Sequence, residues 1–132
     1  MRMKAEILIA ESKRGREIQS LLLCYTQALF TLVTQTAACN RLHTIEERFA
    51  RWLLLLSDRM QSNTFPLTEK FLGQMLGCRR AGVTVAAGTL SLPGMISYTR
   101  GNITILNRSD LENTSCECYS IVKNEYARLL GT

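Results

Sequence analysis

The most restrictive feature of this sequence is a long run without charge near its beginning. Between residues 18 and 40 there is no Asp, Glu, Lys or Arg. Such a run is long enough to span a bilayer. Its many glutamine, threonine and serine side chains argue against that location, because polar groups are costly in hydrocarbon. We therefore predict a helix over residues 18–40 that is buried on two sides by protein.

The apolar residues of this run follow the spacing of a coiled-coil seam. Alternating steps of four and three residues connect Leu21, Tyr25, Ala28, Leu32, Gln35 and Cys39. The pattern predicts a dimerisation helix whose seam pairs with a second copy, and the core helix of a monomer is the alternative. Further apolar side chains would then be covered by another part of the molecule: Leu22, Leu23, Leu29, Phe30 and Val33.

The next segment has the signals of an amphipathic helix. Thr44 and Glu47 have the spacing of a capping box, which places the start of the helix at residue 45. The helix is expected to end near residues 62–63, and Phe65 followed by Pro66 indicates a linker, because the residue before a proline disfavours helix. The charged side chains are expected on its wet face: Glu46, Arg48, Arg51, Asp58 and Arg59.

Two short helices and a hairpin are predicted next. Thr68 is positioned to cap a helix over residues 69–76, which Gly77 closes. A second helix is expected over residues 79–92, and two alternating β-branched segments, 95–98 and 102–106, predict a hairpin. Ser109 and Glu112 have the spacing of a second capping box, which would begin a last helix that continues to residue 129.

Helix, tight turn, helix and hairpin is the order of a winged helix-turn-helix. Gly73 stands where a larger side chain would hold the second helix away, Gly77 follows at the turn, and Val83 would fill the angle between the helices. The predicted fold class is therefore mainly α with a small β-hairpin wing. A long dimerisation helix (18–40) precedes a winged helix-turn-helix domain (41–132) with a C-terminal helix.

Charge locates the surface that would meet a polyanion. Residues 64–108 contain five Lys or Arg against one acidic residue, whereas residues 109–132 are net acidic. In this motif the N-terminal end of the second helix faces the base edges, so Arg80, Arg79 and Thr84 are the candidate base contacts. Arg80 is favoured for guanine, and Arg79 is alternatively a backbone clamp. The candidate phosphate contacts are Thr68, Lys70 and Arg100.

The cysteine and histidine content predicts neither a metal site nor an enzyme. The five cysteines are an odd number, Cys116 and Cys118 form the only close pair in sequence, and His43 is the single histidine. We expect reduced, structural cysteines, no metal and no cofactor. A single histidine without a nucleophile at catalytic spacing, and without a phosphate-binding loop, disfavours catalysis.

Residues 67–84, continued by 94–96, resemble the DNA-binding domain of Crp/Fnr transcription regulators. The resemblance extends over residues 25–28, 35–42, 48–53 and 116–119. It implies a cytoplasmic homodimer that reads a two-fold symmetric site on double-stranded DNA, with RNA polymerase as a further candidate partner and no membrane. Ala81 and Val85 stand where the best-known member of the family has a carboxylate and a second arginine, so the target sequence is expected to differ.

Members of this family usually carry an N-terminal β-roll sensor. Residues 1–17 are expected to be its remnant or connector, with a final strand within residues 1–14, and no effector-binding cassette is predicted. The alternative function is a sensor-less interaction protein that forms mixed dimers with full-length relatives.

Overall fold

A computed structural model describes residues 2–131, which form seven helices and one three-stranded antiparallel sheet. This confirms the expected fold class, mainly α with a small hairpin. The elements in chain order are α1 (Ala5–Arg14), α2 (Arg16–Leu42), α3 (Ile45–Met60), β1 (Thr64–Pro66), α4 (Glu69–Leu76), α5 (Arg80–Ser91), β2 (Ile96–Thr99), β3 (Asn102–Ile105), α6 (Arg108–Thr114) and α7 (Cys118–Leu130).

The predicted final strand within residues 1–14 is wrong, because Ala5–Arg14 is helical. Gly15 separates this helix from α2 with an extended backbone conformation. None of the residues of α1 is buried, and Ile7, Leu8 and Ile9 all expose more than a third of their surface. Helix α1 therefore forms although no other described part of the chain buries its apolar side chains.

The long helix α2 lies along α7, and this contact decides which of its faces is covered. Ala28 is fully buried, Leu32 packs against the core, and the Gln35 amide Nε2 donates to Cys118 Sγ over 3.4 Å. The chain itself therefore occupies part of the surface of the predicted seam, and the pairing of that seam with a second copy stays a prediction. Of the three remaining seam positions, Cys39 is fully buried, whereas Leu21 and Tyr25 are at least half exposed.

The opposite stripe of α2 is apolar and exposed. Leu23, Phe30 and Val33 expose 65%, 63% and 58% of their surface. They follow one another at seven and three residues, and Ala37 continues the stripe four residues on, which is the spacing of a coiled-coil seam. By length and composition alone, α2 would also be able to cross a membrane.

Helix α3 is at the centre of the main core. The predicted capping box is confirmed: Thr44 Oγ1 accepts from the Glu47 amide, and Glu47 Oε2 accepts from the Thr44 amide over 2.8 Å. Two residues expected on its wet face are instead buried. Arg48 donates to the Leu76 carbonyl over 2.7 Å, and Arg51 donates to Thr36 Oγ1 over 3.1 Å. Periodicity within α3 could not reveal that α2 and α4 cover this side.

The predicted hairpin is confirmed, and it gains a third strand. β3 pairs with β2 and, on its other edge, with β1, where Phe65 stands opposite Ile103. The segment around Pro66 was predicted as a linker, yet it is an edge strand, a position at which the missing N–H of proline is tolerated. Both Phe65 and Ile103 are buried in the core, which attaches the wing firmly to the helices.

The C-terminal region differs from its prediction in two ways. The cap of α6 is Asn107, whose side chain accepts from the Asp110 amide over 3.1 Å, so the predicted capping box at Ser109 is wrong. Glu112 is instead bound by Arg108 Nε at 2.9 Å. The single helix expected up to residue 129 is also interrupted between α6 and α7, where Cys116 turns into the protein and is buried.

Candidate nucleic-acid interface

The angle between α4 and α5 depends on close backbone approach. Gly77 closes α4 in the left-handed conformation, with φ of 63°. A Cβ on Gly73 would lie 3.0 Å from the Cys78 carbonyl oxygen, which is backbone, so a side chain there would push the turn away. Val83 is fully buried in the angle. These are the roles predicted for the three residues, and they produce the geometry of a helix-turn-helix.

Helix α5 presents one apolar and one open face. Its inner face is buried in the core through Val83, Ala86, Ala87 and Leu90. Its outer face exposes Arg80, Ala81, Thr84 and Val85, and the Arg80 side chain is 72% exposed. The outer face therefore combines one cation, one hydroxyl and two small apolar groups, which is the chemistry that reads base edges.

The N-terminus of α5 is open to an anion. Arg79 occupies the N-cap position without a capping side-chain hydrogen bond, and the first turn contains no acidic residue. The free backbone N–H groups and the helix dipole favour negative charge at such an end. Within residues 2–131, no carboxylate lies within ion-pair distance of Arg79, Lys70 or Arg100. These three cations are therefore available to phosphate.

The structure adds a residue that the sequence prediction missed. Glu69, at the start of α4, accepts from Arg80 Nη2 at 3.4 Å and from the Thr84 hydroxyl at 3.3 Å. It thus brings together two of the three predicted base contacts. Burial, followed by the Glu69 carboxylate, raises the pKa of Tyr98, so β2 also lies close to this group. The available signal was that Glu69 is the lone acidic residue within the basic segment 64–108.

Thr68 and the hairpin tip frame this surface. Thr68 caps α4 by accepting from the Phe71 amide at 3.2 Å, and its exposed hydroxyl can still donate to a phosphate oxygen. At the tip, Arg100 and Gly101 both have positive φ, 49° and 77°, as a two-residue type I′ turn requires. The Gly101 carbonyl accepts from the Leu67 amide over 2.7 Å, which ties the tip to the start of the motif.

Arg100 occupies a backbone conformation that suits asparagine better than arginine. We expect Arg100→Asn to raise the free energy of unfolding by about 0.5 kcal/mol while weakening duplex binding, because it relieves strain but removes a cation. Chemical denaturation and fluorescence anisotropy at matched ionic strength measure the two effects. Tighter or unchanged DNA binding would show that the wing does not contact phosphate.

A second cluster lies away from this surface and places the single histidine, His43, beside three cysteines, an arrangement that the sequence analysis did not predict. Cys39, His43, Cys116 and Cys118 place their candidate ligand atoms within 4.8 Å of one another. Burial raises the pKa of Cys116 to about 12, and burial also raises that of Cys39. The sequence signal was the four-residue spacing of Cys39 and His43, which places two ligands on one face at the end of a helix.

Comparison with known proteins agrees with this geometry. The family model of the Crp-like helix-turn-helix domain matches residues 47–114. No curated protein sequence matches the chain. Two solved structures resemble it at low sequence identity and therefore bear on the fold.

FixK2 from Bradyrhizobium japonicum superposes with a TM-score of 0.75 at 20% identity, over 86% of this chain and 60% of its own. A Crp/Fnr-family transcriptional regulator from Eubacterium rectale gives a TM-score of 0.62 at 23% identity, over 83% of this chain and 51% of its own. The chain thus spans between half and two thirds of the length of these structures.

Proposed function

Since this chain belongs to the family of Crp-like helix-turn-helix domains, we propose that it is a transcription regulator. In this proposal it binds double-stranded DNA, as a homodimer, at a two-fold symmetric site. The observation that carries the proposal is the outer face of α5, where Arg80 and Thr84 stand exposed beside an uncapped helix N-terminus. The positive end of the helix dipole repels an arginine at this position. A bound polyanion would offset that repulsion.

The roles follow from the exposed chemistry. Arg80 would donate to guanine O6 and N7, with Glu69 holding its guanidinium in position, and Thr84 would contact a neighbouring base. Ala81 and Val85 offer apolar contact to a thymine methyl group. Thr68, Lys70, Arg79 and Arg100 would contact phosphates, which fix register without reading sequence.

Dimerisation is supported by the exposed stripe of α2. Leu23, Phe30 and Val33 form an apolar seam that the described residues leave uncovered. Pairing this stripe with its own copy would bury it and relate the two α5 helices by a two-fold axis. Half-sites about one helical turn apart are then expected in the DNA. Mixed dimers with a relative would use the same stripe.

Arg80→Ala tests the reading role. We expect a loss of roughly 1–3 kcal/mol on the preferred site and relaxed choice at one base pair in each half-site, because a bidentate guanine contact disappears. The measurement is a pair of binding-site selections from a random duplex pool, parent against variant, at one ionic strength.

Lys70→Ala is the matched control, since it removes one exposed cation of the neighbouring helix α4. It should weaken binding to all duplexes about equally and flatten the dependence of affinity on salt. Identical selected motifs for the parent and Arg80→Ala would make Arg80 a phosphate contact. Affinity that does not change between low and moderate salt would contradict DNA binding altogether.

A further inference from the structure

We propose that Cys39, His43, Cys116 and Cys118 bind one Zn²⁺ ion, which joins the end of the long helix α2 to the link between α6 and α7. Three of the four residues are almost fully buried, and Cys116 exposes 6% of its surface. The His43 side chain is 14% exposed. Three thiolates and one imidazole are a common ligand set of structural zinc sites.

The distances fit a tetrahedral ion. A Zn–S bond of about 2.3 Å places two sulfurs of a tetrahedron about 3.8 Å apart. Here Cys39 Sγ and Cys116 Sγ are 3.5 Å apart, and Cys118 Sγ lies 3.7 Å from His43 Nδ1. All four ligand atoms lie within 4.8 Å of one another, so small side-chain rotations complete the site.

The groups around the cluster are those that support a metal ligand. His43 Nε2 lies 3.2 Å from Glu117 Oε1, which leaves Nδ1 to face the sulfurs. A carboxylate behind an imidazole fixes its tautomer and raises its basicity as a ligand. The Gln35 amide Nε2 donates to Cys118 Sγ at 3.4 Å, an interaction that strengthens when the sulfur is a thiolate.

A buried cation beside the cluster supplies an independent argument. Arg51 is 4% exposed, and among residues 2–131 its Nε and Nη1 atoms have no hydrogen-bond partner. Its Nη2 donates to Thr36 Oγ1 over 3.1 Å, one turn before Cys39 on α2. Zn²⁺ with three thiolates and a neutral imidazole carries one net negative charge, so metal binding would give this buried guanidinium a counter-charge.

Binding would release protons and connect distant parts of the chain. The three thiols lose their protons to solvent as the Zn–S bonds form, and the imidazole binds through its unprotonated Nδ1. Cys39 lies in the last turn of α2 and His43 is its C-cap, whereas Cys116 precedes α7 and Cys118 begins it. The ion would therefore hold the seam helix against the C-terminal helix.

Metal content and a spectroscopic substitute test the site. The full chain, purified without chelator, is expected to contain one zinc per chain by elemental analysis. Co²⁺ replacement should give the intense visible bands of tetrahedral coordination and a thiolate charge-transfer band. In the zinc-loaded protein only Cys24 and Cys78 should react readily with a thiol reagent, and chelator should make the other three reactive.

The zinc affinity of single-residue variants distinguishes the proposed ligands from the other cysteines. We expect Cys116→Ser and His43→Ala to lower zinc affinity by at least about 100-fold, and Cys24→Ser, on the same helix as Cys39, to retain one ion. Glu117→Gln should weaken zinc binding by about 10-fold. Glu125→Gln is its control, because that carboxylate binds Arg128 on the same helix.

If Cys116→Ser does not fold, Glu117→Gln and the thiol-protection pattern of the parent protein decide the question. A parent protein without zinc that fails to bind added Zn²⁺ or Co²⁺ would overturn the proposal. So would a Cys39–Cys116 disulfide in the freshly purified protein, or iron with acid-labile sulfide in place of zinc.

Discussion

Replacing Phe30 with aspartate is expected to convert the proposed dimer into a monomer. Phe30 lies in the middle of the exposed stripe of α2 and is 63% exposed in the single chain. A charge there would be buried against a second copy without a partner, whereas in the monomer it stays in water. Affinity for a symmetric duplex should fall by at least about 100-fold, since two tethered readers become one.

Sedimentation velocity and anisotropy on a symmetric duplex measure the two effects. Circular dichroism should show an unchanged helical content, because the substituted side chain contributes little to the core of the monomer. A variant that sediments as the parent does would place the dimer contact elsewhere.

Leu21→Asp is the matched control for this experiment. Leu21 belongs to the same helix and is 59% exposed, but it lies on the α7 side, in the stripe that the sequence pattern predicts as the seam. We expect Leu21→Asp to remain dimeric. Dissociation of Leu21→Asp, with Phe30→Asp intact, would favour the stripe predicted from sequence over the one that the structure exposes.

Gly73→Val is expected to have the second large effect. The added Cβ would stand 3.0 Å from the Cys78 carbonyl oxygen and its methyl groups would meet Val83, so α5 must move. We expect the free energy of unfolding to fall by about 2–3 kcal/mol, the usual cost of overpacking. DNA binding should fall further than stability, because Arg80 and Thr84 move with the helix. Denaturation and anisotropy measure both.

Gly88→Val is the control for this substitution. Gly88 lies on the exposed face of the partner helix α5, and a Cβ there has nothing within 4 Å. Its stability should stay within about 0.5 kcal/mol of the parent, since valine and glycine differ little in helix propensity. Equal destabilisation by the two substitutions would show that helix propensity, rather than the close approach at Gly73, controls the motif.

Local rules account for the parts of this protein that were predicted correctly. The positive φ of Gly77, the Thr44–Glu47 capping box and the hairpin each depend on residues within a few positions of one another. The helix-turn-helix depends on three residues in one short segment: Gly73 permits the close approach of the Cys78 carbonyl, Gly77 closes α4, and Val83 fills the angle between α4 and α5. The sequence alone therefore predicts the helix-turn-helix, including the exposed position of Arg80 at the start of α5.

Features that depend on distant residues were decided by the tertiary structure. α7, some ninety residues further along the chain, packs along α2 beside Gln35, and Ala28 is buried, so the apolar stripe that stays exposed is the opposite one. The same packing brings Cys39 and His43 close to Cys116 and Cys118. The spacing of these residues in the sequence does not indicate that the two pairs meet. Helical periodicity determines which residues share a face of a helix. Which of those faces is buried is determined only when the whole chain has packed, because burial depends on every element that packs against that surface.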